Sequence, residues 1–207
     1  MKTEYQVNPK MVEAGSRAFR THEKRDAIYK VSTFLVDHFW GDPRQMADAL
    51  GVLLLVWNNA LYRYGLFDYA ALERALRHNM KTLASFRGRD IFTFGEEDQK
   101  TIESLLGAFL DALKIAEGKS KGHRSPVGVA KALHLLAPSF FPLWDDKIAK
   151  AYRCRYSDDP GGKYLMFMTI SKNMAETLRG KVRVPPRTTL LKMIDEYNYA
   201  KFTRKWI

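Results

Sequence analysis

The chain has 207 residues, of which 46% are hydrophobic and 28% are charged, a balance that supports a packed core. Its single cysteine excludes an internal disulfide and any iron–sulfur or zinc site with four cysteine ligands. The net charge of +11 lies wholly in residues 119–207, which carry 18 basic and 7 acidic side chains, whereas residues 1–118 carry 16 of each. Such an asymmetry indicates a surface for a polyanion. A solvated basic face without a partner is the alternative.

Helix patterns cover nearly the whole chain, and strand patterns are nearly absent. Predicted helices in the neutral part cover residues 9–19, 24–39, 43–65, 68–86 and 96–117. In the basic part they cover residues 127–136, 146–153, 162–178 and 188–199. The sequence therefore predicts an all-α fold. We expect residues 1–118 to form a neutral lobe and residues 119–207 a basic lobe of one structural unit, with a cleft between the lobes.

The third predicted helix is apolar on nearly all sides and is expected to be the central buried helix. Asp42 suits its N-cap and Pro43 its first turn. Residues 86–95 predict an irregular segment, and residues 118–125, with two glycines and several basic side chains, predict an exposed linker.

No segment indicates a membrane or an export signal. The most apolar run, residues 49–57, is too short to cross a bilayer, and the first ten residues lack the apolar stretch of a signal peptide. We expect a cytoplasmic monomer without a membrane partner. Cys154 lies between Arg153 and Arg155, which would lower its pKa if it were exposed, but no catalytic pattern surrounds it and a structural thiol is the simpler interpretation.

The strongest chemical pattern lies in residues 124–152. Ser125–Gly128 predicts a tight turn whose free backbone amides would bind phosphate at the start of a helix. Lys131 and His134 share a face of that helix. Asp145 then occupies the N-cap of the next helix, a position that holds a carboxylate rigidly.

Residues 126–132 (PVGVAKA) resemble the hairpin and lysine-bearing helix of the helix-hairpin-helix DNA glycosylase superfamily, and residues 144–148 (WDDKI) resemble its aspartate cap. Three differences stand out: Val127 replaces a glycine of the hairpin, Lys131 lies one residue later, and the interval to Asp145 is several residues shorter. The resemblance implies a two-lobed helical fold with a helix-hairpin-helix element. It also implies a DNA N-glycosylase that needs no cofactor or metal and acts on double-stranded DNA with one base flipped out.

The resemblance assigns catalysis to Asp145 and Lys131. Cleavage of an N-glycosidic bond builds positive charge on the sugar, which a fixed carboxylate stabilises while it activates water. Lys131 would attack C1′ and form a Schiff base, giving lyase activity, or else would contact phosphate. A Schiff-base role requires burial that lowers the pKa of the amine.

A flipped base needs aromatic walls and a polar group that recognises it. The candidates are Trp57, Asn58, Tyr62, His134 and Trp144. For each there is a plainer alternative: the aromatic side chains and His134 belong to the core, and Asn58 bridges loops. The candidate DNA-binding residues are Gly128 in the predicted turn and the basic side chains in and around the segment. Each basic side chain alone is also compatible with a solvated surface. The candidates are Lys121, Arg124, Gly128, Lys147, Lys150, Arg153 and Arg155.

Two other functions fit the same residues. One is a non-enzymatic helical protein that binds DNA or RNA. The other is a nuclease or toxin-like RNase that uses Asp145, Asp146, His134 and Lys131, although adjacent aspartates on a helix diverge. For the glycosylase, the sequence does not specify the excised base. One hypothesis is a phage-defence enzyme that acts on a bulky modified base such as glucosylated hydroxymethylcytosine, which would require a wide pocket.

Overall fold

A computed structural model describes residues 7–63 and 65–207. Within these ranges the chain is helical, and its only β-type pairing is an isolated antiparallel bridge between Phe67 and Ile115, so the predicted all-α class is confirmed. The α-helices are α1 (Pro9–His22), α2 (Ala27–His38), α3 (Pro43–Trp57), α4 (Asn59–Tyr62), α5 (Tyr69–Arg87), α6 (Gln99–Ala112), α7 (Pro126–Leu136), α8 (Asp146–Ala151), α9 (Pro160–Leu178) and α10 (Leu190–Asn198). None of them is long and apolar enough to cross a membrane.

Side-chain caps explain why most helices begin where the sequence predicts. Asp42 accepts hydrogen bonds from the amides of Arg44 and Gln45, and Asp68 accepts one from Ala70. Asp159 and Thr189 cap α9 and α10 in the same way. Each cap satisfies amides that have no partner inside the helix, so these starts are encoded locally.

The predicted third helix is interrupted. It ends at Trp57 because Asn58 leaves the helical conformation (φ −124°, ψ 32°), and the short α4 follows. The Asn58 amide donates to the Ser125 hydroxyl at 3.1 Å, a contact between distant parts of the chain that the sequence pattern did not reveal. Tyr64, near the predicted end of this helix, lies outside the described residues.

The central helix is α7 rather than α3. Eight of the eleven residues of α7 are buried, and it contacts α2, α3 and α6. On α3, by contrast, Val52 and Val56 are 56% and 57% exposed. The prediction that α3 is the central buried helix is therefore wrong, because one of its sides faces solvent.

The predicted helix over residues 96–117 is shorter than expected. Residues Glu96–Asp98 form a single 3₁₀ turn, α6 ends at Ala112, and Ile115 pairs with Phe67 instead of continuing the helix. Residues 118–125 form no helix; residues 119–122 are a turn, and Gly118 and Gly122 have positive φ, which glycine adopts without strain. The irregular segment 86–95 contains a 3₁₀ turn at Ile91–Thr93.

The neutral and basic parts of the chain share one hydrophobic core. Helix α1 packs chiefly against α10, and buried Val12 and Leu191 belong to the same cluster. Gly15 allows the two helices to approach closely, because a Cβ atom at this position would lie 2.7 Å from the Cα atom of Tyr197. The buried Ser16 hydroxyl donates to the Glu196 carboxylate across the same contact.

The close contact of α1 with α10 makes Gly15 a sensitive position. We expect Gly15→Ala to lower the free energy of unfolding by about 1–3 kcal/mol, because the methyl group would collide with backbone and force the helices apart. Chemical denaturation measures the change. Gly107→Ala in α6 is the matched control: a Cβ atom there meets nothing within 4 Å, so its unfolding free energy should be unchanged or raised by up to about 1 kcal/mol. Equal destabilisation by both substitutions would contradict the proposed close contact.

Candidate functional site

A cavity of about 240 Å³ lies among α1, α2, α3, α7, α8 and α10. Four carboxylates and two amines line it, although the protein as a whole is strongly basic. Its lining residues are Phe19, Glu23, Asp26, Ala27, Ile28, Trp57, Lys131, Leu143, Trp144, Asp145, Ile148, Lys192, Asp195 and Tyr199. The cavity thus brings together Asp145, Lys131, Trp57 and Trp144 from the predicted site.

Two hydrogen bonds hold the Asp145 carboxylate. One oxygen accepts from the Ile148 amide at 2.8 Å, which makes Asp145 the N-cap of α8 as predicted. The other accepts from the Thr203 hydroxyl at 2.5 Å. Thr203 ends a π-helical turn, Tyr199–Thr203, and its carbonyl accepts from the Lys147 ammonium at 3.0 Å. A carboxylate held at both oxygens points into the cavity in one fixed orientation.

Lys131 reaches the cavity from the central helix α7. Its amine donates to the Trp57 carbonyl at 2.5 Å and lies 5.1 Å from the centre of the Trp57 ring. Burial lowers the pKa of Lys131 to about 8, although the charges of Asp195 and Asp145 act in the opposite direction. A substantial fraction of this amine is therefore neutral in mildly alkaline solution, the form that acts as a nucleophile.

Lys192 and Asp195 were not predicted from the sequence. The Lys192 side chain is only 3% exposed; its amine lies 3.4 Å from Asp195 and 3.5 Å from Asp26, between the rings of Phe19 and Tyr29. Burial lowers the pKa of Lys192, but the surrounding carboxylates outweigh burial and raise the pKa above its usual value. One feature of the sequence could have identified this pair. Lys192 and Asp195 are three residues apart among apolar residues of α10, a pattern that indicates a charge pair facing the core.

Asp26 is part of the same charge cluster. It precedes α2 in a left-handed conformation (φ 40°), yet its side chain makes no capping hydrogen bond. The carboxylate instead faces Lys192. Asp26 thus uses its carboxylate for the ion pair with Lys192 and not as the cap of α2.

The two predicted tryptophans, Trp57 and Trp144, differ in their exposure. Trp57 is partly buried at the end of α3 and packs edge-on against Tyr29. Trp144 is 1% exposed; its indole donates to the Pro126 carbonyl at 3.3 Å, and it packs against Tyr164. Both line the cavity, but only Trp57 presents an exposed edge of appreciable size.

Three predicted pocket residues lie elsewhere. Asn58 binds Ser125, and buried Tyr62 donates its hydroxyl to the Leu113 carbonyl at 2.9 Å. His134 is fully buried between Tyr29 and the Phe141 carbonyl, and burial lowers its pKa to about 3. Since a carbonyl can only accept, Nδ1 of neutral His134 donates to Phe141 and Nε2 accepts from Tyr29. None of the three lines the cavity.

The predicted turn at Ser125–Gly128 is the beginning of α7 itself. Ser125 is the N-cap and Pro126 is the first helical residue. The Gly128 amide donates to the Ser125 hydroxyl at 3.0 Å, so it is already satisfied and not free for phosphate. The prediction of a separate tight turn that offers this amide is wrong, because Asn58 and Ser125 close that end of the helix.

The predicted DNA-binding side chains fall into two groups. Lys121 and Arg124 are exposed before α7, where Arg124 pairs with Asp111 at 2.5 Å. The others lie on α8 and the residues that follow it, beside Asp145, and all are exposed; they are Lys147, Lys150, Arg153 and Arg155. This second group follows, along the chain, the cavity residues Asp145 and Ile148, although none of its side chains lines the cavity.

The described residues contain one buried thiol and no cluster of metal ligands. No group of three or more His, Cys, Asp or Glu side chains there could hold a metal ion. Cys154 is buried, donates to the Tyr152 carbonyl, and has a pKa raised to about 11 by burial. It therefore behaves as a structural thiol.

Comparisons with protein-family models, with curated proteins and with solved structures find no match to this chain.

The burial of Lys131 has a measurable consequence. We expect its ε-carbon NMR resonance to titrate near pH 8 and to be absent in Lys131→Met. Because the folded pKa lies below the usual 10.5, the unfolded chain binds more protons between these values, and this lysine's contribution to stability rises with pH. The unfolding free energy of the wild type, minus that of Lys131→Met, should therefore increase from pH 8 to 10.5. A constant difference would contradict a buried amine.

Proposed function

We propose that the protein is a DNA glycosylase that flips out a damaged or modified base and cleaves its N-glycosidic bond. The supporting observation is that a rigidly held Asp145 and a partly buried Lys131 line one aromatic-walled cavity, to which helix α8 contributes its N-terminal end. The contrast of charge supports the same proposal. A basic exterior attracts the polyanion, and a carboxylate-rich interior favours the cationic transition state of glycosidic cleavage.

In this mechanism the fixed carboxylate of Asp145 faces the deoxyribose. As the C1′–N bond breaks, its electron pair leaves with the base, and positive charge on the sugar is stabilised by Asp145. Water then adds to C1′ and transfers a proton to the same carboxylate. The hydrogen bonds from Ile148 and Thr203 position the carboxylate before the substrate arrives.

Lys131 supplies a lyase step in the same proposal. Once the base has left, the neutral amine can add to the C1′ aldehyde of the ring-opened abasic sugar, and loss of water then forms a Schiff base. Loss of a C2′ proton and of the 3′ phosphate group breaks the strand, and water releases the sugar fragment from Lys131. Its contact with the Trp57 carbonyl fixes the amine at the cavity wall.

The structural half of the proposal is a helix-hairpin-helix element and a cleft between two lobes. Residues 126–128, which carry the hairpin resemblance, form the first turn of α7, so the hairpin would have to be the connection of residues 113–125 between α6 and α7. The cavity would be the cleft between a lobe containing α3 and a lobe containing α8 and α10. Trp57 is the side chain best placed to stack on a flipped base.

The size of the cavity favours a compact base. About 240 Å³ lies just below the range of roughly 300–1,000 Å³ typical of small-molecule sites. This volume favours an unglycosylated base over a glucosylated one.

A non-enzymatic DNA-binding protein is the second candidate. Its specific support is that both oxygens of Asp145 already accept hydrogen bonds within the protein, as a purely structural cap would. The two functions differ in whether Asp145 affects a chemical step.

The decisive experiment compares Asp145→Asn with Asp145→Ala. DNA carrying uracil, 8-oxoguanine, alkylated purines or glucosylated hydroxymethylcytosine is incubated with each protein, and abasic sites are counted with an aldehyde-reactive probe before and after alkali. We expect the wild type to excise at least one base and both variants to lose at least about 100-fold in rate, because neither retains the carboxylate. Strand breaks that are present before alkali treatment measure the lyase activity.

The pair of variants separates chemistry from folding. Asparagine caps a helix as well as aspartate, so only Asp145→Ala should lower the unfolding free energy, by about 1 kcal/mol. As a second measure, DNA with a cationic pyrrolidine in place of one deoxyribose mimics the transition state and should bind the wild type more tightly than Asp145→Asn. No excision of any base, with equal binding of the pyrrolidine DNA, would favour the non-enzymatic protein.

The exposed cations near the cavity predict the salt dependence of DNA binding. We expect Lys150→Gln with Arg155→Gln to reduce the slope of log affinity against log salt by about 2, since each phosphate contact contributes about 0.9. Fluorescence anisotropy of labelled duplex DNA measures the slope. Arg74→Gln with Arg77→Gln on α5 is a charge-matched control away from the cavity and should change the slope little. An equal change in both double variants would contradict a DNA contact at α8.

A further inference from the structure

We propose that Asp195 is the acid that gives its proton to the departing base. This inference rests on the proposed glycosylase function and adds a second catalytic carboxyl group to it. The sequence resemblance does not extend to α10, and only the geometry of the cavity brings Asp195 to the site.

Asp195 has an oxygen available to a ligand. One oxygen lies 3.4 Å from the Lys192 amine, whereas within the described part of the chain the other accepts no hydrogen bond. The side chain is 14% exposed, and the cavity it lines is where a ligand would reach it. Asp145 differs in this respect, because both of its oxygens accept hydrogen bonds from the protein. The two carboxyl groups therefore suit different tasks: Asp145 has both oxygens held in place to face the sugar, and Asp195 presents an open oxygen to the base.

Burial lets the Asp195 carboxyl group keep its proton to a higher pH than an ordinary aspartate does. Burial raises its pKa to about 6; Lys192 lowers the pKa, and the negative charges of Glu196 and Asp145 raise it. Around the same cavity and its charge cluster stand Glu23 after α1, Asp26 before α2, Lys131 on α7, and the phenols of Tyr29 and Tyr199. Glycoside-cleaving enzymes use two carboxyl groups in this way, one protonated and one ionised.

The proton balance of the step is complete. The C1′–N bond breaks, its electron pair remains on the base, and the Asp195 proton moves to a nitrogen or oxygen atom of that base. Water adds to C1′, and its proton moves to Asp145. The net reaction consumes one water and yields the free base and an abasic site, and exchange of a proton with solvent restores both carboxyl groups.

The test is a single-turnover excision rate measured from pH 5 to 8.5 with Asp195→Asn and Asp195→Glu. On DNA carrying uracil or 8-oxoguanine, which leave as neutral bases, we expect the wild-type rate to fall about tenfold per pH unit above pH 6. Asp195→Asn should lose 100-fold or more at pH 6, since general acids contribute about 10²–10⁴, and should lack this pH dependence. Asp195→Glu should retain it.

A cationic leaving group distinguishes proton donation from a structural role. N7-methylguanine already carries a positive charge and leaves without a proton, so its excision should show no decline above pH 6 and should fall less than about threefold in Asp195→Asn. Equal losses on N7-methylguanine and neutral bases would overturn the inference. Thermal unfolding shows whether Asp195→Asn folds. If it does not, the pH profiles of the excision rate for the wild type and Asp195→Glu, on neutral and on cationic bases, still test whether Asp195 donates the proton.

The outcomes also separate this inference from the proposed function. Excision that requires Asp145 but proceeds at the wild-type rate in Asp195→Asn would overturn the role of Asp195 alone. Absence of excision from every DNA in the panel would overturn both.

Discussion

The buried ammonium group of Lys192 is the constraint on which the site depends. A charge that is almost fully buried costs several kcal/mol unless it is paired, so Asp26 and Asp195 must remain beside it. This requirement fixes the start of α2 against α10, and the rings of Phe19 and Tyr29 complete the enclosure. Helix α1, the start of α2 and α10, which are distant in sequence, thus form one wall of the cavity because the Lys192 amine needs partners.

The opposite wall depends on the burial of α7. This helix is surrounded by apolar neighbours, so the polar groups that it carries must find partners within the protein. His134 does so in the core and Lys131 at the cavity, where the Trp57 carbonyl accepts its hydrogen bond. The different positions of these two residues along the helix place His134 in the core and Lys131 at the cavity.

Local signals in the sequence predict most helix starts and the cap at Asp145, because a cap needs only its own first turn. They fail where a distant contact decides the structure. Asn58 ends α3 by binding Ser125, and the same contact closes the start of α7. In the charge cluster, Lys192 and Asp195 are one turn apart on α10, but Asp26 joins them only through tertiary packing, so the sequence does not reveal the whole cluster.

The close approach at Gly15 carries a consequence for the diversification of this fold. The colliding atom is the Cα of Tyr197, so no change of side chain at 197 can make room for a larger residue at 15. The separation of α1 from α10 is therefore governed by one position. Phe19 on α1 faces Tyr199 with ring centres 5.8 Å apart at the cavity. In a related sequence, a bulkier residue at 15 would widen the cavity and admit a larger ligand without altering any residue that touches it.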